Sequence, residues 1–214
     1  MKKEEIYPHI DHTLLKPYAT WEEFKTLCTE ACLYKTASVC VPPYFIKRIH
    51  EEFKDLNICT VIGFPLGYEE TSVKVFEAKE AIEAGASEID MVVNINAVKD
   101  HDHQYVLNEI KELRKATEGY ILKVIIETCY LTEEEKIKMC EIVTEAKADY
   151  IKTSTGFGTG GATADDIRLF KAHVGENVKI KAAGGISSVE DMEQFLSLGA
   201  DRLGTSSGIK LLEA

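Results

Sequence analysis

The chain lacks the features that mark secreted, membrane-embedded and nucleic-acid-binding proteins. Its first residues, Met1 to Ile6, contain no apolar signal region, and no stretch approaches the roughly 20 apolar residues of a membrane span. No Cys-x-x-Cys pair occurs among the six cysteines, so we expect reduced and mostly buried thiols. Basic residues are too few to give a positive surface: the formal net charge of -11 argues against a nucleic-acid partner. These absences predict a cytoplasmic protein with neither a membrane nor a nucleic-acid partner.

Nothing in the sequence resembles a linker, a low-complexity tract or a second domain. The 214 residues are 45% hydrophobic and 29% charged, which allows a sizeable core. A single α/β barrel typically needs about 200 to 250 residues. We therefore expect one domain over residues 1–214.

Short apolar runs rich in β-branched residues alternate with longer segments of helical period. This alternation is typical of a parallel sheet with helices packed on it. Eight units that close on themselves form a (β/α)₈ TIM barrel, whereas five or six form an open doubly wound sheet. We predict the α/β barrel, with strands at 37–41, 58–62, 88–93, 122–126, 150–153, 178–182 and 202–204, and a short first strand at 10–13.

Helical periodicity is clearest in four segments, 71–84, 103–116, 132–147 and 188–198. Capping boxes, in which a Ser or Thr is followed three residues later by an acidic residue, mark where several helices begin. We predict such boxes at Thr132 with Glu135, Thr163 with Asp166, and Ser187 with Glu190.

The alternation of side chains along each strand identifies charged residues that point into the barrel. Where apolar Ile151, Ile180 and Ile89 face the helices, Lys152, Lys181 and Asp90 must face inward. By the same argument Lys123, Glu127 and Lys179 point inward, although Lys179 lies at the amino-terminal end of its strand and is expected to reach solvent. Buried charges are costly unless they are paired or functional. The alternative is that some of these lysines simply lie at strand ends in water.

The position of two lysines along their strands favours function. Lys152 precedes a glycine-rich loop from Thr153 to Gly161, and Lys181 precedes Ala182-Ala183-Gly184-Gly185. Both therefore lie near the carboxyl ends of their strands, where barrel enzymes hold their active sites.

Two glycine-containing loops indicate an anion site. Gly184-Gly185 leads into a helix, and the last strand continues into Gly204-Thr205-Ser206-Ser207-Gly208. Loops after the last two barrel strands commonly bind phosphate through backbone N–H groups and a helix N-terminus. Glycines also form ordinary turns, so the dipeptide alone is weak evidence. The paired positions favour a phosphorylated small-molecule ligand.

The sequence closely resembles the deoxyribose-phosphate aldolase family of class I aldolases. The resemblance spans Asp11 to Gly208, and the two segments that begin at Lys152 and Lys181 are the most specific. The matching segments are Asp11-His12-Thr13-Leu14-Leu15, Glu88-Ile89-Asp90-Met91-Val92-Val93-Asn94, Leu122-Lys123-Val124-Ile125-Ile126-Glu127-Thr128, Tyr150-Ile151-Lys152-Thr153-Ser154-Thr155-Gly156 and Lys181-Ala182-Ala183-Gly184-Gly185-Ile186.

The resemblance implies reversible cleavage of 2-deoxy-D-ribose 5-phosphate to acetaldehyde and D-glyceraldehyde 3-phosphate, without a cofactor or metal. Lys152 would form the Schiff base, while Asp90 and Lys181 would transfer protons, and Lys181 would also disfavour protonation of Lys152 by its charge. Further substrate contacts are expected at Asp11, Cys40, Lys123, Thr155, Gly156, Gly184, Gly185, Gly204, Ser206 and Ser207. Some family members carry a lysine where this chain has Phe157, so no lysine–phosphate contact is expected from that loop.

Three other functions remain open from the sequence. A phosphate-binding barrel isomerase or epimerase would share the glycine loops and Asp90, but would not need two inward lysines. A non-catalytic sugar-phosphate sensor would bind without turnover. A metal-dependent aldolase would need ligands, and the only histidine cluster, His101-Asp102-His103, is interpreted as solvated surface. The sequence does not determine the oligomeric state, and a homo-oligomer is compatible with it.

Overall fold

The computed structural model describes residues 1–214 and contains eight strands and ten α-helices. The strands are β1 (Ile10–Thr13), β2 (Ser38–Val41), β3 (Ile58–Ile62), β4 (Glu88–Val92), β5 (Ile121–Ile125), β6 (Tyr150–Lys152), β7 (Lys179–Ala183) and β8 (Arg202–Thr205). The helices are α1 (Lys3–Ile6), α2 (Trp21–Tyr34), α3 (Ile46–Glu52), α4 (Thr71–Ala84), α5 (Ile95–Lys99), α6 (His103–Ala116), α7 (Glu133–Glu145), α8 (Ala164–His173), α9 (Val189–Ser197) and α10 (Gly208–Leu212).

The eight strands form one closed parallel barrel. Each strand pairs with the next along the chain, and β8 pairs with β1, so that the order around the barrel is β1 to β8. The pairing places Asp90 beside Lys123, and Lys152 beside Lys181. This arrangement confirms the predicted (β/α)₈ barrel and excludes the open doubly wound sheet.

The apolar core lies between the barrel and its helices. Ile89, Val124, Ile151 and Ile180 on successive strands are almost completely buried in this layer. Burying one such side chain contributes about 1.5–3 kcal/mol relative to leaving it exposed. Because these residues face outward, the alternate residues of the same strands face the barrel interior, where the charged groups collect. Lys179 is exposed at the start of β7, as predicted.

The element boundaries agree with the sequence-based prediction to within two residues, and the first strand, 10–13, is confirmed. Of the predicted capping boxes, Thr132 with Glu135 is confirmed. Thr163 does accept a hydrogen bond from the amide of Asp166, but the reciprocal bond is missing because the Asp166 carboxylate binds Lys136 at 2.6 Å.

The box predicted at Ser187 is wrong by one residue. Ser188 is the N-cap of α9, and its partner is Asp191 rather than Glu190. The Asp191 carboxylate also accepts hydrogen bonds from the amide and hydroxyl of Ser187. Two adjacent serines therefore share one acidic partner, which made the sequence ambiguous here.

None of the helices combines the length and apolarity needed to cross a lipid bilayer.

Candidate active site

Three lysines converge on one carboxylate inside the barrel. Lys152 Nζ donates a hydrogen bond to Asp90 Oδ2 at 2.7 Å, and Lys181 Nζ donates to the same oxygen at 2.8 Å. Lys123 Nζ donates to the other oxygen, Asp90 Oδ1, at 2.8 Å. The four side chains come from β4, β5, β6 and β7, and their inward direction follows from the strand alternation that buries their apolar neighbours.

Asp90 and the three lysines, which we call the charged cluster, stabilise one another through their charges. Burial alone would raise the pKa of Asp90, but the ammonium groups of Lys123, Lys152 and Lys181 together hold it well below its ordinary value. Burial would lower the pKa of Lys123 and of Lys181, yet the neighbouring carboxylates, Asp90 foremost for Lys123 and Asp11 for Lys181, raise both. Asp90, Lys123 and Lys181 are therefore ionised throughout the physiological pH range.

A second group of charges lies toward the amino-terminal ends of the strands. Asp11 of β1 binds Lys181 through one carboxylate oxygen and Arg202 of β8 through the other. Arg202 also reaches Glu88 of β4 at 3.0 Å, and Glu88 in turn binds Lys123. The pKa of Asp11 is lowered despite burial, because Lys181, Lys123 and Arg202 surround it.

A cavity of about 380 Å³ opens above this cluster, at the carboxyl ends of the strands. Lys152 is the only member of the charged cluster that lines it. The other lining residues are Thr13, Leu14, Leu15, Lys16, Thr155, Gly156, Phe157, Ala183, Gly184, Gly185, Ile186, Gly204, Thr205 and Ser206. A mainly apolar cavity with a few converging polar groups is typical of a small-molecule site.

Both glycine loops contribute to the cavity wall. Gly184 and Gly185 have φ values of +76° and +73°, a conformation that L-residues with side chains rarely adopt. The amides of Gly185, Ile186 and Ser206 donate no hydrogen bond within the protein. Ile186 is buried, whereas Gly185 and Ser206 are exposed to the cavity side of the loops, so all three amides are free to donate to an anionic ligand.

Glu127 is a buried residue at this end of the barrel whose arrangement the sequence did not indicate. Its φ is +52°, and its carboxylate accepts hydrogen bonds from the amide and hydroxyl of Thr155. The Thr155 hydroxyl in turn accepts a bond from the amide of Phe157, whose ring packs edge-on against Phe64. Glu127 therefore fixes the loop that follows Lys152. The alternation of side chains along the strand predicted that Glu127 points inward. It could not predict the contact with Thr155, which lies 28 residues away in the sequence.

Several residues expected to contact substrate do not line the cavity. Asp11, Cys40 and Lys123 are fully buried beneath it, because their polar groups are engaged inside the barrel or, for Cys40, packed beside Cys59 and Val61. Ser207 is the N-cap of α10, and its amide binds the Thr205 hydroxyl. The remaining expected contacts, at Thr155, Gly156, Gly184, Gly185, Gly204 and Ser206, do line the cavity. Leu15 and Lys16, in the loop that follows β1, were not expected there.

Two sets of side chains in the barrel have the spacing of metal ligands. They are Cys40, Cys59 and Asp90, and Asp11, Cys59 and Glu88. In both sets the carboxylates are already bound by lysine or arginine, whose positive charges disfavour a cation. The cluster His101-Asp102-His103 lies at the surface as expected, where Asp102 caps α6 through the amide of Tyr105.

A closed parallel barrel with a cavity at the carboxyl ends of its strands is the architecture of the (β/α)₈-barrel enzymes. Comparison with known families defines the chain further. The chain belongs to the DeoC/LacD family of aldolases, whose sequence model matches residues 7–211.

Similar proteins carry a consistent description. A curated deoxyribose-phosphate aldolase of Clostridium botulinum (strain Alaska E43 / Type E3) is 60% identical over 214 residues, which is 100% of this chain and 97% of that protein. A protein of the same name from Thermococcus kodakarensis is 54% identical, covering 100% of this chain and 98% of its own. The solved tetrameric deoxyribose phosphate aldolase of Aeropyrum pernix superimposes with a TM-score of 0.93 at 32% identity, covering 99% of this chain and 91% of that one.

Proposed function

We propose that the protein is a class I aldolase that reversibly cleaves 2-deoxy-D-ribose 5-phosphate to acetaldehyde and D-glyceraldehyde 3-phosphate, with Lys152 as the Schiff-base residue. The observation that carries the proposal is that Lys152 alone, among the basic groups of the charged cluster, lines the cavity. The family and the full-length relatives support the substrate.

Cleavage of a carbon–carbon bond leaves a carbanion that needs an electron sink. A neutral Lys152 amine attacks the substrate carbonyl, water is lost, and the protonated imine accepts the electrons as an enamine when the bond breaks. Lys152 shares its one carboxylate oxygen, Asp90 Oδ2, with Lys181.

Asp90 and Lys181 are placed to move protons beside this amine. Because Lys152 and Lys181 bind the same oxygen of Asp90, a proton that leaves one amine has a hydrogen-bonded acceptor 2.7–2.8 Å away. Asp90 is an anion at rest because its pKa is lowered, and it holds the transferred proton only transiently before returning it. The substrate carbon and hydroxyl group exchange protons with this pair through water, because neither Asp90 nor Lys181 lines the cavity.

The substrate phosphate is assigned to the glycine loops. Gly185, Ile186 and Ser206 line the cavity, and their amides have no partner within the protein. Phe157, which stands where some relatives have a lysine, gives an apolar wall instead of a charge. Ligand binding through backbone amides supplies remote binding energy that lowers the barrier at the reacting carbon.

Trapping with acetaldehyde and borohydride tests the proposal directly. We expect a reduced adduct on Lys152, found by peptide mapping, and loss of activity that follows its formation. Lys179→Met is the matched control, because Lys179 is exposed at the other end of the barrel and this variant should be labelled normally. An adduct on Lys181, or none at all, would refute the assignment of Lys152.

The same preparation separates the alternatives. A retro-aldol assay that releases acetaldehyde excludes both an isomerase and a non-catalytic sensor. Activity that survives prolonged EDTA treatment excludes a metal-dependent aldolase, whereas loss restored by Zn²⁺ would support one. We also propose that the chain forms a homo-oligomer, as the tetrameric aldolase from Aeropyrum pernix does; light scattering after gel filtration measures this.

A further inference from the structure

Arg202 lies beneath the cavity on β8 and does not line it. We propose that its fixed positive charge sets the balance that allows Lys152 to react as a neutral amine. This inference rests on the proposed function, because it concerns the same amine. Arg202 is a positioning residue here: it acts through Asp11 and Glu88 and touches no substrate.

The ion-paired network beneath the cavity contains more basic groups than acidic ones. Three carboxylates, from Asp11, Glu88 and Asp90, face four basic groups, and every one of these seven residues is mostly or fully buried. Unpaired charge in such an interior is costly. This network of seven residues is balanced when one of its basic groups is neutral. The four basic groups are Lys123, Lys152, Lys181 and Arg202.

The ion pairs identify which basic group is in excess. Arg202 binds both Asp11 and Glu88, and Lys181 binds both Asp11 and Asp90. Lys123 binds Glu88 and Asp90 and lies 3.8 Å from Asp11. Each of these three has at least two carboxylates. Lys152 has only Asp90, through an oxygen that Lys181 also occupies.

Arg202 is suited to this role because its charge does not titrate. A guanidinium stays protonated in proteins, and although burial would lower the pKa of Arg202, the charges of Asp11 and Glu88 raise it. Arg202 binds two carboxylates, Asp11 and Glu88, from the amino-terminal side of the barrel. Less negative charge is therefore left to balance the lysines that lie nearer the cavity. The group that can relieve the excess by losing a proton is the one with the fewest carboxylates and access to the cavity, which is Lys152.

Each of the eight strands carries a charged or titratable group in the barrel around Lys152. A change in its protonation is therefore assigned to Arg202 only if the others are left in place. The groups are Asp11 on β1, Cys40 on β2, Cys59 on β3, Glu88 and Asp90 on β4, Lys123 on β5, Tyr150 on β6, Lys181 on β7 and Arg202 on β8, with Lys16 and Glu127 at the mouth.

The test measures the pH dependence of Schiff-base formation with acetaldehyde, trapped by cyanoborohydride and quantified on the Lys152 peptide. Arg202→Met removes a positive charge, so the protonated form of Lys152 is favoured. The acidic limb, which is the low-pH side of the rate profile where Lys152 becomes protonated and the rate falls, should therefore move to higher pH. Lys152 and Arg202 lie on strands two places apart, which are separated by about 10 Å. At that distance and an effective dielectric constant near 20, the acidic limb is expected to shift by about one pH unit.

Two further variants distinguish charge from packing. Arg202→Lys keeps the charge and should leave the acidic limb within about 0.3 pH units of the parent. Glu88→Gln removes one negative charge with little change in shape, so its acidic limb should move in the opposite direction, to lower pH. The double variant Arg202→Met with Glu88→Gln restores the balance and should lie near the parent.

An unchanged limb in Arg202→Met would mean that a carboxylate takes up a proton instead of Lys152, and would overturn the inference. An equal shift in Arg202→Lys would also overturn it. If Arg202→Met does not fold, Arg202→Gln, which removes the charge but keeps a polar side chain, takes its place, with the same expected shift and the same refuting result. Absence of any Lys152 adduct in the parent protein would instead refute the proposed function, before any variant is compared.

Discussion

Asp90 is the residue whose two oxygens are divided among three lysines. Oδ1 is held by Lys123, and Oδ2 is shared by Lys152 and Lys181. The division separates two tasks, because one oxygen is fixed in place while the other contacts both amines that we assign to chemistry. A carboxylate is needed for proton transfer but not for the attack of Lys152 on an aldehyde.

Asp90→Asn should therefore separate imine formation from turnover. We expect the variant to be labelled on Lys152 by acetaldehyde and borohydride, while the retro-aldol kcat falls at least about 100-fold through loss of acid–base catalysis. Asp100→Asn, the same change at an exposed residue after α5, should alter neither quantity. Parent-like turnover in Asp90→Asn would contradict a proton-transfer role.

Strand alternation predicted the faces of individual residues but not their depth. It placed Lys152, Lys181 and Asp90 inward, as the structure does. It could not show that Lys123 is sealed beneath Asp90 while Lys152 borders the cavity, because depth depends on the tilt and stagger of the strands around the closed barrel. The contact between Glu88 and Arg202, which are 114 residues apart in the sequence, could not be predicted for the same reason.

At the level of elements, the loops after β7 and β8 combine free amides with positive-φ glycines. Gly185 stands at φ +73° between the end of β7 and the cap of α9, and its own amide is one of the free donors. An L-residue in this conformation costs roughly 1–2 kcal/mol, which the loop relieves by moving. Movement would misplace amides that we assign to the substrate phosphate.

Gly185→Ala should weaken the use of the phosphate selectively. We expect kcat/KM for 2-deoxyribose 5-phosphate to fall about tenfold, while the much lower value for 2-deoxyribose changes little. Gly119→Ala is the matched control, since Gly119 has φ +85° and open space around it in the loop between α6 and β5. An equal fall for both substrates in Gly185→Ala, or equal kcat/KM for the two substrates in the parent, would contradict the assignment.

The existence and type of the elements were more predictable than their caps. Helical period gave 71–84 and 103–116 with the bounds that the structure shows. The N-cap of α9 was misplaced by one residue, since Ser187 and Ser188 both bind Asp191. Local patterns give the period, whereas the choice between adjacent capping residues depends on backbone angles that the neighbouring loop imposes.

On the scale of the whole molecule, the barrel has one end that holds the candidate active site and another that holds the turns between helices and strands. The two ends of the chain meet, because Lys3 Nζ lies 2.7 Å from Glu213 Oε1. Closure depends on the pairing of β1 with β8 rather than on chain order. The order in which the eight units are connected should therefore be changeable without loss of the fold.

Two circular permutants, each with residues 214 and 1 joined by a short flexible linker, test this separation of the two ends. New termini between Lys54 and Asp55 fall in the exposed loop between α3 and β3, at the amino-terminal end of the barrel. Because that loop contributes nothing to the cavity, we expect a folded protein with activity within about threefold of the parent.

New termini between Gly158 and Thr159 cut the loop that Glu127 fixes through Thr155. The strands and helices remain intact, so this permutant should show the circular dichroism of the parent. Its retro-aldol activity should fall at least about tenfold. The cut breaks the chain between Phe157, which forms one wall of the cavity, and Gly161, which packs on Gly184, so neither is held in place by the other. Full activity here, or an unfolded Lys54–Asp55 permutant, would show that fold and site are not divided between the two ends of the barrel in this way.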